Sequence, residues 1–507
     1  MTTSAPHSPA TPTPPATPTP PPHGPAAAAR RQLLAHFSFA AASGYFAEAL
    51  FLVRGLVVAS VLGPAAFGVW SAIRLVLLFS AYTDVGSNAG MLQCAPQAEG
   101  AGCGRRADAH RRVAAGTTML GGLLAAGMVA LLLGGWAPGD AARQSWWLAA
   151  GIILAQQVLS FYEDTLAAQR RFGWLAISES AFAILSTLTG IAAAVAFGLD
   201  GFLLALLASH LIILLLAPMV GPPFPRPVLR LRHAIRLVQI GWPIVLAQLL
   251  LILLWNVDKL MLWLLRPSEE LGVYALQSYF TILVMLLPAT VADVALPHLR
   301  LRLGQLASPH ALAPFLLRGT HGLACLALPI VGLGFLLLHL PLRWLLPAYE
   351  QAVAPGRLLM LASFPSIVVA LAGTVLIAVF HHRSIMLVRG GCAALTAAAA
   401  AGVLLAGGGL VELAAAMAVG FVLHAVALMR LALRATGCTT REASSLVANV
   451  VAPYAGLVIV LLALMVLIPD HPASLAEDLT LSALRCAILL LLLAPLAYRL
   501  WRGHRGP

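Results

Sequence analysis

From about residue 34 to residue 499 the chain is a succession of apolar runs of 18 or more residues, broken by short polar segments. The runs lack the two-residue alternation of a half-buried strand, and they exceed the ten or so residues of a barrel strand. Each is long enough to cross roughly 30 Å of hydrocarbon as a helix. A window of about twenty residues predicts helices near 34–62, 64–92, 113–135, 144–165, 174–197 and 199–219. Further helices follow near 239–265, 272–298, 314–338, 356–380, 385–406 and 409–429, and two more near 448–468 and 480–499. The pattern predicts an all-α integral membrane protein of about 14 transmembrane helices. Where only a few residues join two runs, as at residue 63 or residue 198, the turn must be a tight helical hairpin.

The basic residues orient this bundle. Of 31 Lys and Arg residues, 30 are Arg, and Lys259 is the only lysine. Counting the loops between predicted helices, 21 Arg fall on one side, in clusters such as Arg105, Arg106, Arg111 and Arg112 or Arg226, Arg230, Arg232 and Arg236. Only four fall on the other: Arg143, Arg266, Arg343 and Arg357. Positive charge stays on the cytoplasmic face, so both termini are predicted inside, in a bacterial inner membrane. Dropping one helix would invert every later loop and destroy the asymmetry.

The second half repeats the first. Slid by 204 residues without gaps, Leu62 to Trp70 (LGPAAFGVW) lies over Arg266 to Tyr274 (RPSEELGVY), each an outside turn opening into a helix with Gly-Val-aromatic. An even number of helices separates the copies, so they share an orientation and are related by an axis along the membrane normal. The expected organisation is a Pro/Thr/Ala-rich disordered tail (1–32), a six-helix lobe (33–219), a basic cytoplasmic linker (220–238), a second six-helix lobe (239–430), two added helices (431–499) and a short tail (500–507).

Composition narrows the function classes. With 60% hydrophobic and 10% charged residues, an ordinary soluble protein is excluded. The net charge of +12 resides mostly in loop arginines, and no soluble basic domain exists to bind nucleic acid. Six scattered cysteines without CxxC spacing give neither a disulfide framework nor a zinc site. No phosphate-binding glycine loop, catalytic triad or carboxylate pair spaced for catalysis is present. The chain is therefore expected not to be an enzyme and to need no cofactor or metal.

Charged groups inside spans carry the candidate chemistry, because each costs at least about 2.5–3.5 kcal/mol at a helix centre unless it faces a cavity or a partner. Arg54 and Asp258 occupy equivalent places in the repeat, about eight residues before the outer ends of their helices and so roughly 12 Å deep. Arg74 and Lys259 complete the layer. Two readings stand: a cavity for an anionic group such as a pyrophosphate, which guanidinium groups grip in bidentate fashion, or an ion-pair network locking helices together. Asp258 and Lys259 point about 100° apart, so one of them is expected to pair with a neighbouring helix. Asp84 and Asp293 fall at the cytoplasmic mouth, as gate residues or as helix caps. Glu48, near mid-membrane, is the candidate for ion coupling. Glu179, Arg318, Arg389, Glu412 and Arg485 lie nearer helix ends and read as structural.

The segments LGPAAFGVWSA, TDVG and CAPQ, then AQRRFGWLA, then GWPIVLAQLLLILLWNVDKLML with GVYAL, resemble in order and spacing the Wzx-type polysaccharide flippases of the multidrug/oligosaccharidyl-lipid/polysaccharide superfamily. They cover residues 33 to 300. The resemblance implies two facing six-helix lobes that carry an undecaprenyl-diphosphate-linked oligosaccharide from the cytoplasmic to the periplasmic leaflet by alternating access, with ion coupling. Substrate, membrane lipids and a polysaccharide polymerase with other assembly proteins are the partners to expect. Three rivals remain: a drug/cation antiporter of the same superfamily, a lipid II flippase, and a membrane glycosyltransferase or polymerase. A net positive central layer disfavours the first, and the lack of long outside loops disfavours the last.

Overall fold

The computed structural model describes residues 25–135, 140–285, 299, 309–379, 381–468 and 474–503. Among these there is no strand. The helices are α1 (Pro25–Ser80), α2 (Ser87–Gly100), α3 (Gly104–Val129), α4 (Asp140–Ala168), α5 (Phe172–Val220), α6 (Leu231–Leu265) and α7 (Ser268–Leu276). They continue with α8 (278–285), α9 (Ala313–Leu337), α10 (Val353–Ala378), α11 (His382–Leu405), α12 (Leu410–Ala435), α13 (Thr440–Leu467) and α14 (Leu475–Gly503). Ten stretches among the described residues are long and apolar enough to cross a membrane.

The two longest, α1 and α5, are hairpins. Gly63 takes φ 71°, ψ 170° and is followed by Pro64. A glycine adopts that backbone without steric cost, and a proline is preset to open the next helix. Gly198, at φ 66°, does the same in α5. Thr189 and Ser209 then lie 3.2 Å apart, whereas residues 20 apart on one straight helix would be about 30 Å apart. In α1, Arg54 and Trp70 meet the same ring, Phe202, the guanidinium at 6.0 Å and the indole at 4.9 Å. Both hairpins fall where the sequence pattern places them.

The two lobes face each other with like orientation, and the repeat marks their axis. Near the hairpin ends α1 crosses α7 so closely that a Cβ on Gly68 would strike the Ser268 backbone and one on Gly272 the Pro64 backbone. Pro64 pairs with Ser268 and Gly68 with Gly272 at the same offset of 204 that relates the sequence halves. The pseudo-twofold axis therefore passes through this crossing, and the Gly-Val-aromatic motif is the contact itself. Tyr349 adds a hydrogen bond to the Ala59 carbonyl at 2.9 Å, and its ring meets Phe67 edge-on. At the opposite end of the bundle, a Cβ on Gly90 would strike the Leu237 backbone and one on Gly241 would lie 2.6 Å from the Gly90 nitrogen. Here α2 and α6 pack backbone to backbone, the use to which small residues are put in membrane bundles.

Two expectations need correction. The predicted helix 64–92 is interrupted between α1 and α2, with Val85 at φ 52° and Gly86 at φ 92°. Gln157 steadies the break, its amide N–H donating to the Ser80 carbonyl and to the Thr83 hydroxyl. Residues 25–32, assigned to the tail, belong to α1. The rest of the tail lies outside the described residues.

Beyond the second lobe, α13 and α14 pack on α9 and α10. Tyr454 stacks on Phe364 at 4.4 Å and donates to the Leu361 carbonyl at 3.0 Å. Asp478 of α14 accepts from Trp344 at 2.7 Å and lies 3.0 Å from His339 Nε2. The Trp344 indole N–H and both Asp478 oxygens are thereby satisfied in a setting where an unpaired polar group is costly.

Candidate functional site: a charged cavity between the lobes

A cavity of about 800 Å³ opens between the lobes, lined by α1, α4 and α5 on one side and by α6, α7, α8, α10 and α12 on the other. Arg54, Arg74, Lys259, Asp258 and Glu48 all line it. The residues of the sequence-derived layer thus line a single space from both sides.

Its cations differ in how they are held. Arg54 donates to Ser186 at 2.7 Å and lies 4.6 Å over the Phe51 ring, so its guanidinium is positioned by α5 and by its own helix. Arg74 lies 4.4 Å over the Tyr279 ring of the opposite lobe. Neither has a carboxylate within ion-pair distance among the described residues, though Glu48 is in electrostatic reach of both. Two guanidinium groups on aromatic faces, with donors unspent, suit an anionic ligand.

Lys259 is spoken for. Its ammonium lies 3.1 Å from the Asp258 carboxylate and 3.4 Å from the Trp255 carbonyl. The Asp258 carboxylate also accepts from the Lys259 backbone at 2.8 Å and faces Tyr274 of α7. The helical-wheel expectation that one of the two engages a neighbouring helix fits Asp258, but the pair also closes on itself. Asp258 is buried at 2% exposure and the pair closes within one helix, whereas Arg54 and Arg74 make no ion pair among the described residues.

Asp84 does not line the cavity. Its carboxylate accepts from the backbone of Gly86 at 3.3 Å and Asn88 at 2.7 Å, capping the start of α2 after the break. Asp293 lies outside the described residues.

Sequence reasoning missed two acidic residues of the cavity. Glu163 on α4 and Glu179 on α5 both line it, Glu163 accepting from Ser178 at 3.0 Å and Glu179 bonded to Ser43. Glu179 had been read as structural for its place near a helix end. An available signal was that Glu163 sits in FYEDTLAA, where two adjacent carboxylates, Glu163 and Asp164, follow a long apolar run. Uncharged donors and acceptors, among them Gln156, Asn256 and Gln277, complete the lining.

Two facing lobes enclose this polar cavity, and the fold is that of solved structures described as transporters of the multidrug/oligosaccharidyl-lipid/polysaccharide superfamily. The structure is similar to the lipid II flippase MurJ in its inward closed conformation, with TM-score 0.65 and 12% identity over 91% of this chain and 98% of that one. It is similar to an inward-facing multidrug resistance MATE transporter, with TM-score 0.62 and 12% identity over 79% and 95%. A superfamily transporter from Pyrococcus furiosus, described as having a binding pocket of reverse polarity, gives TM-score 0.58 and 13% identity over 82% and 95%. No curated protein matches the sequence. The family described as polysaccharide biosynthesis protein matches residues 57–339, over half of the chain, and the chain belongs to it.

Proposed function

We propose that the protein flips an undecaprenyl-diphosphate-linked oligosaccharide from the cytoplasmic to the periplasmic leaflet by alternating access, with ion coupling. The observation that carries this reading is the pair Arg54 and Arg74, held on aromatic rings in the cavity without a carboxylate partner among the described residues. A diphosphate offers two charged groups to two planar donors, and the fit needs no metal. The 21 loop arginines make the hairpin end carrying Gly63 periplasmic and both termini cytoplasmic, with 14 passes in all. The Gly68–Gly272 crossing then seals the periplasmic side, and parting it releases substrate. Glu48, in electrostatic reach of both guanidinium groups and able to neutralise one when they are empty, is the coupling group.

The cationic wall disfavours a drug/cation antiporter, because cationic substrates would meet Arg54 and Arg74. Lipid II carries the same diphosphate and is separated by its sugar and peptide. The test is a clean deletion in the source bacterium. Lipid-linked repeat units should accumulate on the cytoplasmic side while surface polysaccharide disappears. Normal polymer in the deletion, with no paralogue present, overturns the proposal.

A further inference from the structure

The cavity is not uniformly cationic, and its polarity has an axis. Ser186, on which Arg54 rests, lies seven residues beyond Glu179 on α5, so Glu179 is about 10 Å further along that helix. Ser43, the partner of Glu179, lies eleven residues before Arg54 on α1, which is about 16 Å. Glu163 joins Glu179 through the adjacent Ser178. Among the described residues neither glutamate makes an ion pair, and both face the same cavity as the arginines. Gln156 and Ser160, on the cavity face of α4, lie on the way between the two ends.

From this arrangement we infer that the acidic end is a saccharide subsite that accepts neutral or cationic sugars and rejects repeat units carrying a carboxylate near the reducing end. The inference rests on the proposed function. With the diphosphate on Arg54 and Arg74, the first sugars extend along the cavity toward Glu163 and Glu179. Carboxylates accept hydrogen bonds from sugar hydroxyls, often from two at once. They repel a uronic acid, and in a cavity of low effective dielectric a like charge within several ångströms costs far more than in water. Even sharing one proton, two adjacent carboxylates keep a negative charge between them. Specificity of this kind comes from the repulsive element as much as from the attractive one.

The experiment uses the full-length protein in lipid nanodiscs and equilibrium competition binding of two synthetic ligands. Both are undecaprenyl-diphosphate disaccharides, one with a neutral second hexose and one with the matching hexuronic acid. The neutral ligand should bind tighter by about tenfold or more. In the Glu163→Gln/Glu179→Gln double variant that ratio should fall toward one, and each single variant should lower it part of the way. An equal affinity in the native protein overturns the inference without recourse to any variant. So does a preference that survives the double substitution, the result expected if the glutamates serve only as a proton site. If undecaprenyl diphosphate itself competes with neither ligand, the flippase reading fails, and the subsite inference falls with it.

Discussion

The crossing of α1 and α7 should behave as a gate, and a single side chain tests this. In the Gly272→Val variant the new Cβ meets the Gly68 nitrogen at 2.8 Å and the Pro64 carbonyl carbon at 3.0 Å, against an ordinary contact of about 3.5–4.0 Å. The helices must separate by roughly 1 Å or more, and overpacking of this kind costs about 1–3 kcal/mol. If the crossing exists only while the Gly63 end is closed, that cost falls on the closed state alone. An energy of about 2 kcal/mol then shifts the ratio of open to closed molecules roughly 30-fold. Spin labels at Ser60 and Pro347, both exposed and flanking the Tyr349–Ala59 hydrogen bond, would report it in a background lacking the six native cysteines. The native background should give one short distance, and Gly272→Val should add a longer population. An unchanged distance distribution in a folded variant would show that the crossing is a fixed pivot, and would refute the gating argument.

Other residues separate structure from transport. Asp258→Ala leaves the Lys259 ammonium, part-buried on the cavity wall, without its partner at 3.1 Å; loss of about 1–3 kcal/mol is expected, read as reduced membrane abundance and a lower unfolding temperature in detergent. Asp478→Ala strands Trp344 and His339 and should loosen α14, so that limited proteolysis cuts near residue 475 sooner than in the native protein. Val85→Gly removes a β-branched side chain from a left-handed backbone at φ 52° and should raise the unfolding temperature, with a gain of about 1 kcal/mol.

Much of this architecture was legible because hydrophobic thickness and charge asymmetry act on single sequences without tertiary information. The hairpins at Gly63 and Gly198 announce themselves, since a run twice the membrane thickness with a glycine at its middle must fold back. The offset of 204 residues foretold a symmetric contact, though not that Gly68 and Gly272 would be the atoms touching. Depth arithmetic also gathered Arg54, Arg74, Asp258 and Lys259 into one layer, since distance along a helix depends only on residue count. The break at residues 81–86 was hidden because no proline marks it, and its stabilisation comes from Gln157, 71 or more residues away. Glu163 and Glu179 were missed for a related reason. A carboxylate near a helix end looks the same in sequence whether it meets headgroups or a cavity, and only the packing of α1, α4 and α5 decides between them.

The central claim is that Arg54 and Arg74 bind the diphosphate of a lipid-linked sugar during translocation, and the most direct test is reconstitution. Purified protein in vesicles loaded with a fluorescent undecaprenyl-diphosphate oligosaccharide is placed under imposed proton and sodium gradients, and the label reaching the opposite leaflet is followed by quenching. Native protein should speed transfer under one of the gradients. Arg54→Ala and Arg74→Ala should each abolish that gain while reconstituting at native abundance and unfolding at the native temperature. Native rates in both variants would contradict the account.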